Sequence, residues 1–292
     1  MNNEILIEDV ATNLLRLAVV RLPQDVKEAL GNAHHKERSQ IGKAQLKAIL
    51  ENIRIAEEND TPICQDTGLI SFYLKAGSEF PSLGKVEETL SKAVRRATSE
   101  IPLRPNTLNP FTQKNTGNNT GRQVPHIHWR IIEGDSLEVT AFPKGGGSEN
   151  TCALRMMRPA DGVKGLKEFV LESVLSAGGM PCPPTIIGIG VGGGADIAMK
   201  LAKISLLRPI DKPNPDETVA KLERELLEAV NKTGIGPMGL GGDSTTLAVK
   251  IDYAHRHPAS YPVAVAFQCW AARRATANIH PNGEVEYLTH RV

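Results

Sequence analysis

The chain predicts a mixed α/β fold, with a helical N-terminal part followed by mixed-sheet lobes. Three observations lead there. Residues 5 to about 58 carry apolar side chains at helical spacing, β-branched runs begin at Leu69, and further helical periods separate those runs. Helices and strands therefore intermix along the chain, without an internal repeat or a low-complexity linker.

Val10, Leu14, Leu17 and Val20 mark the buried face of a first helix. Pro23 restarts the chain, because its fixed φ suits a first helical turn, and Val26 to Leu30 continues as a second short helix. Ile41, Leu46, Ile49, Leu50 and Ile53 mark a third, which Asn59-Asp60-Thr61-Pro62 ends. Leu69 to Leu74 is strand-like, and Val86, Leu90, Ala93, Val94 and Ala97 return to helical spacing. From Pro102 to Arg122 runs a loop rich in Asn, Thr, Pro and Gly. Loops of that length, about 20 residues, are functional or disordered in compact domains.

Val124 to Ile132 and Leu137 to Phe142 read as two strands, with Glu133-Gly134-Asp135-Ser136 as a hairpin turn between them. Val163 to Ala177 is a helix stopped by Gly178-Gly179. Thr185 to Val191 is a buried strand, Ala195 to Leu207 a helix, and Glu217 to Val230 a charged amphipathic helix. Thr245 to Ile251 and Val263 to Phe267 complete the strands.

A chain of 292 residues buries a substantial core, as one domain over residues 1–292 in one body or two lobes. A formal net charge of +1 gives no reason to expect nucleic acid or a membrane surface as partner. With 4% aromatic residues, a base-stacking surface is also disfavoured. Met1 to Asp9 lacks the basic region and apolar run of a signal peptide. Four cysteines in so long a chain do not make a disulfide framework, so a reducing, cytoplasmic location is expected.

Three of those cysteines stand in stiff and unusual frames. Cys64 lies in Pro62-Ile63-Cys64-Gln65-Asp66-Thr67-Gly68, Cys182 in Pro181-Cys182-Pro183-Pro184, and Cys269 in Gln268-Cys269-Trp270. Proline fixes φ and removes an amide donor, so the second frame is expected to hold its thiol on a rigid extended stub. Such frames suit a preorganised metal centre better than packing. Three thiolates would leave one iron of a four-iron cluster without a protein ligand. Cys152, with no proline or aromatic bracket, reads as a buried structural thiol.

The glycine runs admit more than one reading. Gly188, Gly190 and Gly193 satisfy G-x-G-x-x-G between a strand and a helix, with Asp211 about 20 residues on, which outlines a dinucleotide site. Close helix–strand packing, or an anion site at the helix N-terminus, fits this context better, because the strand opens from Pro-Cys-Pro-Pro. Gly145-Gly146-Gly147-Ser148 either presents backbone amides to a carboxylate or forms a flexible loop. Gly234 to Ser244 is too constrained for a linker.

Asp66, beside the first cysteine motif, is a proton-transfer group or a turn cap. Arg104 clamps a carboxylate or lies on the surface. His255 and His257 form an H-x-H pair without a third ligand at zinc-site spacing, and His34 and His35 read as exposed.

Taken together, Cys64 through Gly68, Asn115-Thr116-Gly117-Asn118-Asn119-Thr120, Lys144 through Asn150, Pro181 through Pro184, Gly234 through Ser244 and Cys269-Trp270-Ala271 carry a resemblance. The chain resembles the α subunits of two-subunit class I fumarate hydratases and of the related L-tartrate dehydratases, over nearly its whole length. The resemblance implies a class I fumarase N-terminal-domain-like fold and a [4Fe-4S] cluster on Cys64, Cys182 and Cys269, with an open iron acting on the substrate hydroxyl. It implies that Asp66 transfers a proton, and that Gln65, Arg104, Gly147 and His257 contact a small dicarboxylate substrate.

It further implies a β subunit resembling the fumarase C-terminal domain, in a heteromer such as α2β2, because nothing in this sequence matches that domain. Ser148-Glu149-Asn150 favours fumarate over tartrate. The alternatives are an L-tartrate dehydratase α subunit and, more distantly, a non-catalytic iron–sulfur or nucleotide-binding protein.

Overall fold

The computed structural model describes residues 3–290, and the fold is mixed α/β with helices leading into two mixed sheets. The chain divides into two compact units. One comprises residues up to Gln24, Asn52–Gly146 and the chain from Arg273 on; the other comprises Asp25–Glu51 and Gly147–Ala272. Among the described residues no helix is long and apolar enough to cross a membrane.

In the first unit, helices α1 (Asn3–Val20) and α4 (Val86–Glu100) cover one face of a five-stranded sheet. Its order is β2 (His126–Ile132), β1 (Leu69–Gly77), β3 (Leu137–Lys144), β8 (Ala275–Ile279) and β9 (Val285–Tyr287). Alternation along β1 sends Ile70, Phe72, Leu74 and Ala76 into a core with Leu14, Leu15, Leu90 and Val94.

The expected hairpin of β2 and β3 is not there. β1 lies between them, parallel to β2 and antiparallel to β3. The Glu133–Ser136 turn instead carries the chain over the end of β1, where the Gly77 amide donates to Ser136 O and the Glu79 amide to Gly134 O. A Cβ on Gly77 would stand 2.2 Å from Gly134 O, so only glycine lets the turn pass. The apolar alternation of β1 buries more surface between two neighbours than at an edge.

The second unit holds a four-stranded sheet, β4 (Ala153–Met157), β7 (Tyr261–Gln268), β5 (Thr185–Val191) and β6 (Thr246–Tyr253), in that order. Only β5 and β6 are parallel. Helices α6 (Gly162–Ala177) and α8 (Glu217–Asn231) pack on one face, and α7 (Ala195–Ser205) on the other. Helix α2 (Gln24–Lys36) from Asp25 on, and α3 (Gln40–Asn59) as far as Glu51, also belong to this unit. The strands β4, β8 and β9 were not legible as strands in the sequence.

The G-x-G-x-x-G run resolves as packing. A Cβ on Gly188 would meet Ala202 O at 2.1 Å, and one on Gly190 would meet Ala198 O at 1.9 Å. These glycines exist so that the α7 backbone can lie on β5. Gly192, at φ 85°, similarly admits Ala254 O, 2.0 Å from its missing Cβ. Gly190→Ala is expected to lower stability by about 1–3 kcal/mol or more through overpacking, read as a lower urea midpoint than the wild-type chain.

A buried polar cluster fastens the α7–α8 connection to β6. Glu223 accepts from Arg208, from the Asn214 amide at 3.1 Å and from the Ile251 amide at 2.7 Å. Lys250, 3% exposed, donates to Ile210 O at 2.8 Å and Lys212 O at 2.7 Å. Burial, reinforced by the nearby Arg208 charge, pulls the Lys250 ammonium down to about 8. Between about pH 8 and the unfolded value near 10.5 the unfolded chain therefore binds more protons than the folded one, and stability rises with pH. Lys250→Met is expected to abolish that rise, which urea unfolding of both proteins at pH 7.5 and pH 10 will measure.

Candidate active site

The first unit builds a compact polar centre around Asp66. The register of β1 and β3 sets it up, because Leu69 lies opposite Lys144. The turn entering β1 therefore runs beside the glycines that leave β3. Gly68, at φ 92°, allows the approach: its Cβ would stand 2.8 Å from the Lys144 amide nitrogen.

Asp66 uses this proximity. Its Oδ1 accepts from the Gly68 amide at 3.0 Å and from Asn106 Nδ2 at 3.2 Å, while Oδ2 accepts from the Gly146 amide at 2.7 Å. Both earlier readings of the glycine run thus need amending: the Gly146 amide serves a carboxylate of the protein itself. A carboxylate has about four lone-pair sites. Three are engaged here, which leaves one on Oδ2 for a proton or a ligand.

Arg104 is fixed to the same turn. Its amide donates to Thr67 Oγ1 at 3.1 Å, Thr67 Oγ1 returns a bond to Arg104 O at 3.4 Å, and Asn119 Nδ2 donates to that carbonyl at 3.2 Å. Asn119, 2% exposed and at φ 57°, also accepts from the Asn106 amide at 2.7 Å. Asn115 Nδ2 holds Pro105 O at 2.8 Å. The long polar loop is therefore ordered by its own asparagines, with Arg104 itself exposed. Cys64 and the exposed Gln65 precede Asp66 in this turn; the half-buried Cys64 thiol approaches Gln65 Oε1 at 3.5 Å.

The second unit brings two cysteine segments side by side, since the Trp270 amide donates to Cys182 O at 3.2 Å. Cys182 is not on an extended stub as its prolines suggest. Its φ is 54°, in the left-handed region, because the chain must turn there to enter β5. Two further bonds fix the bend, Cys182 N to Gly179 O at 3.0 Å and Met238 N to Pro183 O at 2.8 Å. The Cys269 thiol points to Ala271 O at 3.6 Å. Cys152 is half-buried rather than buried, with its thiol directed at Ser148 O, and none of the four cysteines forms a disulfide.

The Gly234–Ser244 run has a clear structural account. Glu37, 3% exposed, accepts from the amides of Ser39, Asp243 and Ser244 at 2.9–3.0 Å. The glycines give the loop its bends, and Met238 ties it to the Cys182 turn.

Gly147 is exposed in the first turn of the four-residue helix α5 (Gly146–Glu149). Glu149 pairs with Lys203 of α7 at 2.5 Å, so its carboxylate is engaged structurally. His257 is exposed in the loop after β6, where Arg256 Nη1 gathers the carbonyls of His257, Pro258 and Ser260 at 3.0–3.1 Å. Within either unit, the described residues contain no group of three or more His, Cys, Asp or Glu side chains set to hold a metal.

The centre thus unites Asp66, Gln65 and Arg104, and places Gly147, His257, Cys182 and Cys269 in the other unit. Thr67, Asn106, Asn119 and Arg273, which hold it together, were not singled out from the sequence. Thr67 and Asn119 carried a signal only as parts of the Cys64–Gly68 and Asn-Thr-Gly-Asn-Asn-Thr motifs. Asn119→Ala is expected to leave buried groups unpaired, at a cost of about 1–3 kcal/mol. Limited trypsin digestion will then cut faster at Lys114 or Arg122 than in the wild-type chain.

Comparison with known proteins agrees over nearly the full chain. The family described as fumarate hydratase (Fumerase) matches residues 8–278. A putative L(+)-tartrate dehydratase subunit alpha from Methanocaldococcus jannaschii is 50% identical over 277 residues, 94% of this chain and 97% of that one. The L(+)-tartrate dehydratase subunit alpha of Escherichia coli (strain K12) is 37% identical over 283 residues, 97% of this chain and 93% of its own.

Proposed function

The chain belongs to the fumarate hydratase (Fumerase) family, a family of hydro-lyases, and from that premise we propose that it is the α subunit of a [4Fe-4S] enzyme interconverting L-malate and fumarate. The observation that carries the reading is the joining of Asp66 and Arg104 by Thr67, Asn106 and Asn119. A proton-carrying group and a carboxylate clamp on two segments tied to each other are what dehydration of a dicarboxylate requires.

The donor set suits the cluster. Cys64, Cys182 and Cys269 offer soft thiolates, none is in a disulfide, and the left-handed backbone of Cys182 is held by hydrogen bonds on both sides. When bound, the cluster would supply a Lewis acid for the substrate hydroxyl. Arg104 receives one substrate carboxylate in a bidentate pair. The free lone pair of Asp66 Oδ2 carries the proton that joins the departing hydroxyl as the C2–O bond breaks, so that water leaves. The C3 proton passes to a base that we assign to a β subunit, and the C3–H electrons form the double bond. Gln65, the Gly147 backbone and His257 complete the substrate contacts in this proposal.

The relatives named above are each called a subunit alpha, which supports a β partner, in a heteromer such as α2β2. An open-iron cluster also calls for a reducing compartment, the cytoplasm. The same names favour a second reading, L(+)-tartrate as substrate. The resemblance of Ser148-Glu149-Asn150 and the description of the matching family support fumarate. Tartrate carries one more hydroxyl, and a site built to pair that group discriminates by up to about 10⁴-fold.

Anaerobic reconstitution should load about four irons and four sulfides per chain. Cys64→Ser, Cys182→Ser and Cys269→Ser should each lose the cluster and Cys152→Ser retain it; full loading of Cys182→Ser would overturn the ligand set. With the β partner coexpressed, Asp66→Asn should keep its iron and lose about 10²–10⁴ in kcat. Comparing kcat/KM for L-malate and L(+)-tartrate assigns the substrate.

A further inference from the structure

Arg273 heads the fully buried side chains of the described residues by volume and is 2% exposed. Its Nη1 donates to the main-chain carbonyl of Asp66 at 2.6 Å. Its Nη2 lies 3.1 Å from the point where a Cβ on Gly145 would stand, and Asp66 Oδ2 lies 3.1 Å from the same point. Nε has no hydrogen-bond partner, and the Nη1 bond of this guanidinium goes to a neutral carbonyl. A buried cation with so little compensation is destabilising, and an apolar side chain of similar volume would fill the space without that cost. Its placement therefore calls for a reason beyond packing.

We propose that Arg273 is a positioning residue for the hydro-lyase reaction: it clamps the main chain of Asp66, so that Oδ2 keeps its free lone pair directed at the substrate. This inference rests on the function proposed above. The clamp acts from the side opposite the Asn106 and Gly68 bonds in chemical terms, because those hold the carboxylate and Arg273 holds the carbonyl. Gly145 has no side chain to occupy the space between Nη2 and Oδ2. The clamp needs a guanidinium, since a lysine ammonium is a compact point charge without the planar fork.

The test compares wild type, Arg273→Lys and Arg273→Met, each coexpressed with the β partner and assayed on L-malate and L(+)-tartrate. Both variants should retain iron and sulfide and lose about 10- to 100-fold in kcat per cluster, at or below the lower end of what general acid–base catalysis contributes, with KM little changed. The solvent deuterium isotope effect on kcat should rise, because proton delivery by Asp66 becomes slower. Added guanidinium should restore part of the activity of Arg273→Met. A kcat that falls only in step with lost cluster, with the isotope effect unchanged, would reduce Arg273 to a packing role and overturn the proposal.

A second measurement does not depend on catalysis. Hydrogen exchange of amides 64–68 in the chain alone should be about tenfold faster in Arg273→Lys, corresponding to about 1.4 kcal/mol of lost local stability. Unchanged exchange would sink the clamp, whereas a wild-type chain that binds no iron and turns over neither acid would sink the hydro-lyase reading and leave the exchange result standing.

Discussion

The carboxylate of Asp66 is the constraint on which the first unit's polar centre depends. Three segments remote in sequence donate N–H groups to its two oxygens: the turn itself through Gly68, the long loop through Asn106, and the end of β3 through Gly146. Charge-assisted bonds of this kind are about twice as strong as neutral ones. Their value here is geometric as well as energetic. The Asn106 side chain also donates to Gly68 O, and the loop bearing Arg104 buries Leu103 but no other apolar side chain. The antiparallel register of β1 and β3 is what makes the arrangement possible, because it delivers residues 66–68 and 144–146 to one place without requiring either segment to leave its sheet.

The second unit uses the same device with a different acid. Glu37 gathers the amides of Ser39, Asp243 and Ser244, and glycines at 42 and 242 make room for it: a Cβ on either would stand 2.9 Å from an atom of its carboxylate. The loop so gathered passes Met238 to Pro183 and thereby steadies the Cys182 turn. Buried carboxylates satisfied by backbone donors replace apolar packing where the chain is irregular. This follows from the need to pair every buried N–H, which a glycine-rich loop cannot do within itself.

The sequence made the helices and the long strands legible because their apolar periods are regular. β1 and α4 display the alternation and the helical spacing that bury Phe72 and Leu90. It did not disclose which strands pair. Glu133–Ser136 has hairpin composition, yet the burial demanded by β1 on both flanks decides the neighbour, and that demand is non-local. β8, with Ala275, Ala277 and Asn278, is too small and mixed in side chain to stand out. In the centre, Asp66 and Arg104 were legible by type and setting. The roles of Thr67, Asn106 and Arg273 were not, since threonine and asparagine are ordinary in loops, and nothing local sets Arg273 apart. Their meaning lies in partners 37, 40 and 207 positions away.

Cys182 illustrates why a departure from local rules marks function. A non-glycine residue at φ 54° costs roughly 1–2 kcal/mol against the right-handed form, and glycine would occupy the position without that penalty. The hydrogen bonds from Trp270 to Cys182 and from Met238 to Pro183 offset the cost but would form equally well around a glycine, because both use main-chain carbonyls. What a glycine cannot supply is the sulfur. A thiol retained where the backbone favours its removal is best explained by a demand on the thiol itself. The segment holding Cys269 lies directly beside it in the same unit, joined through the Trp270 amide.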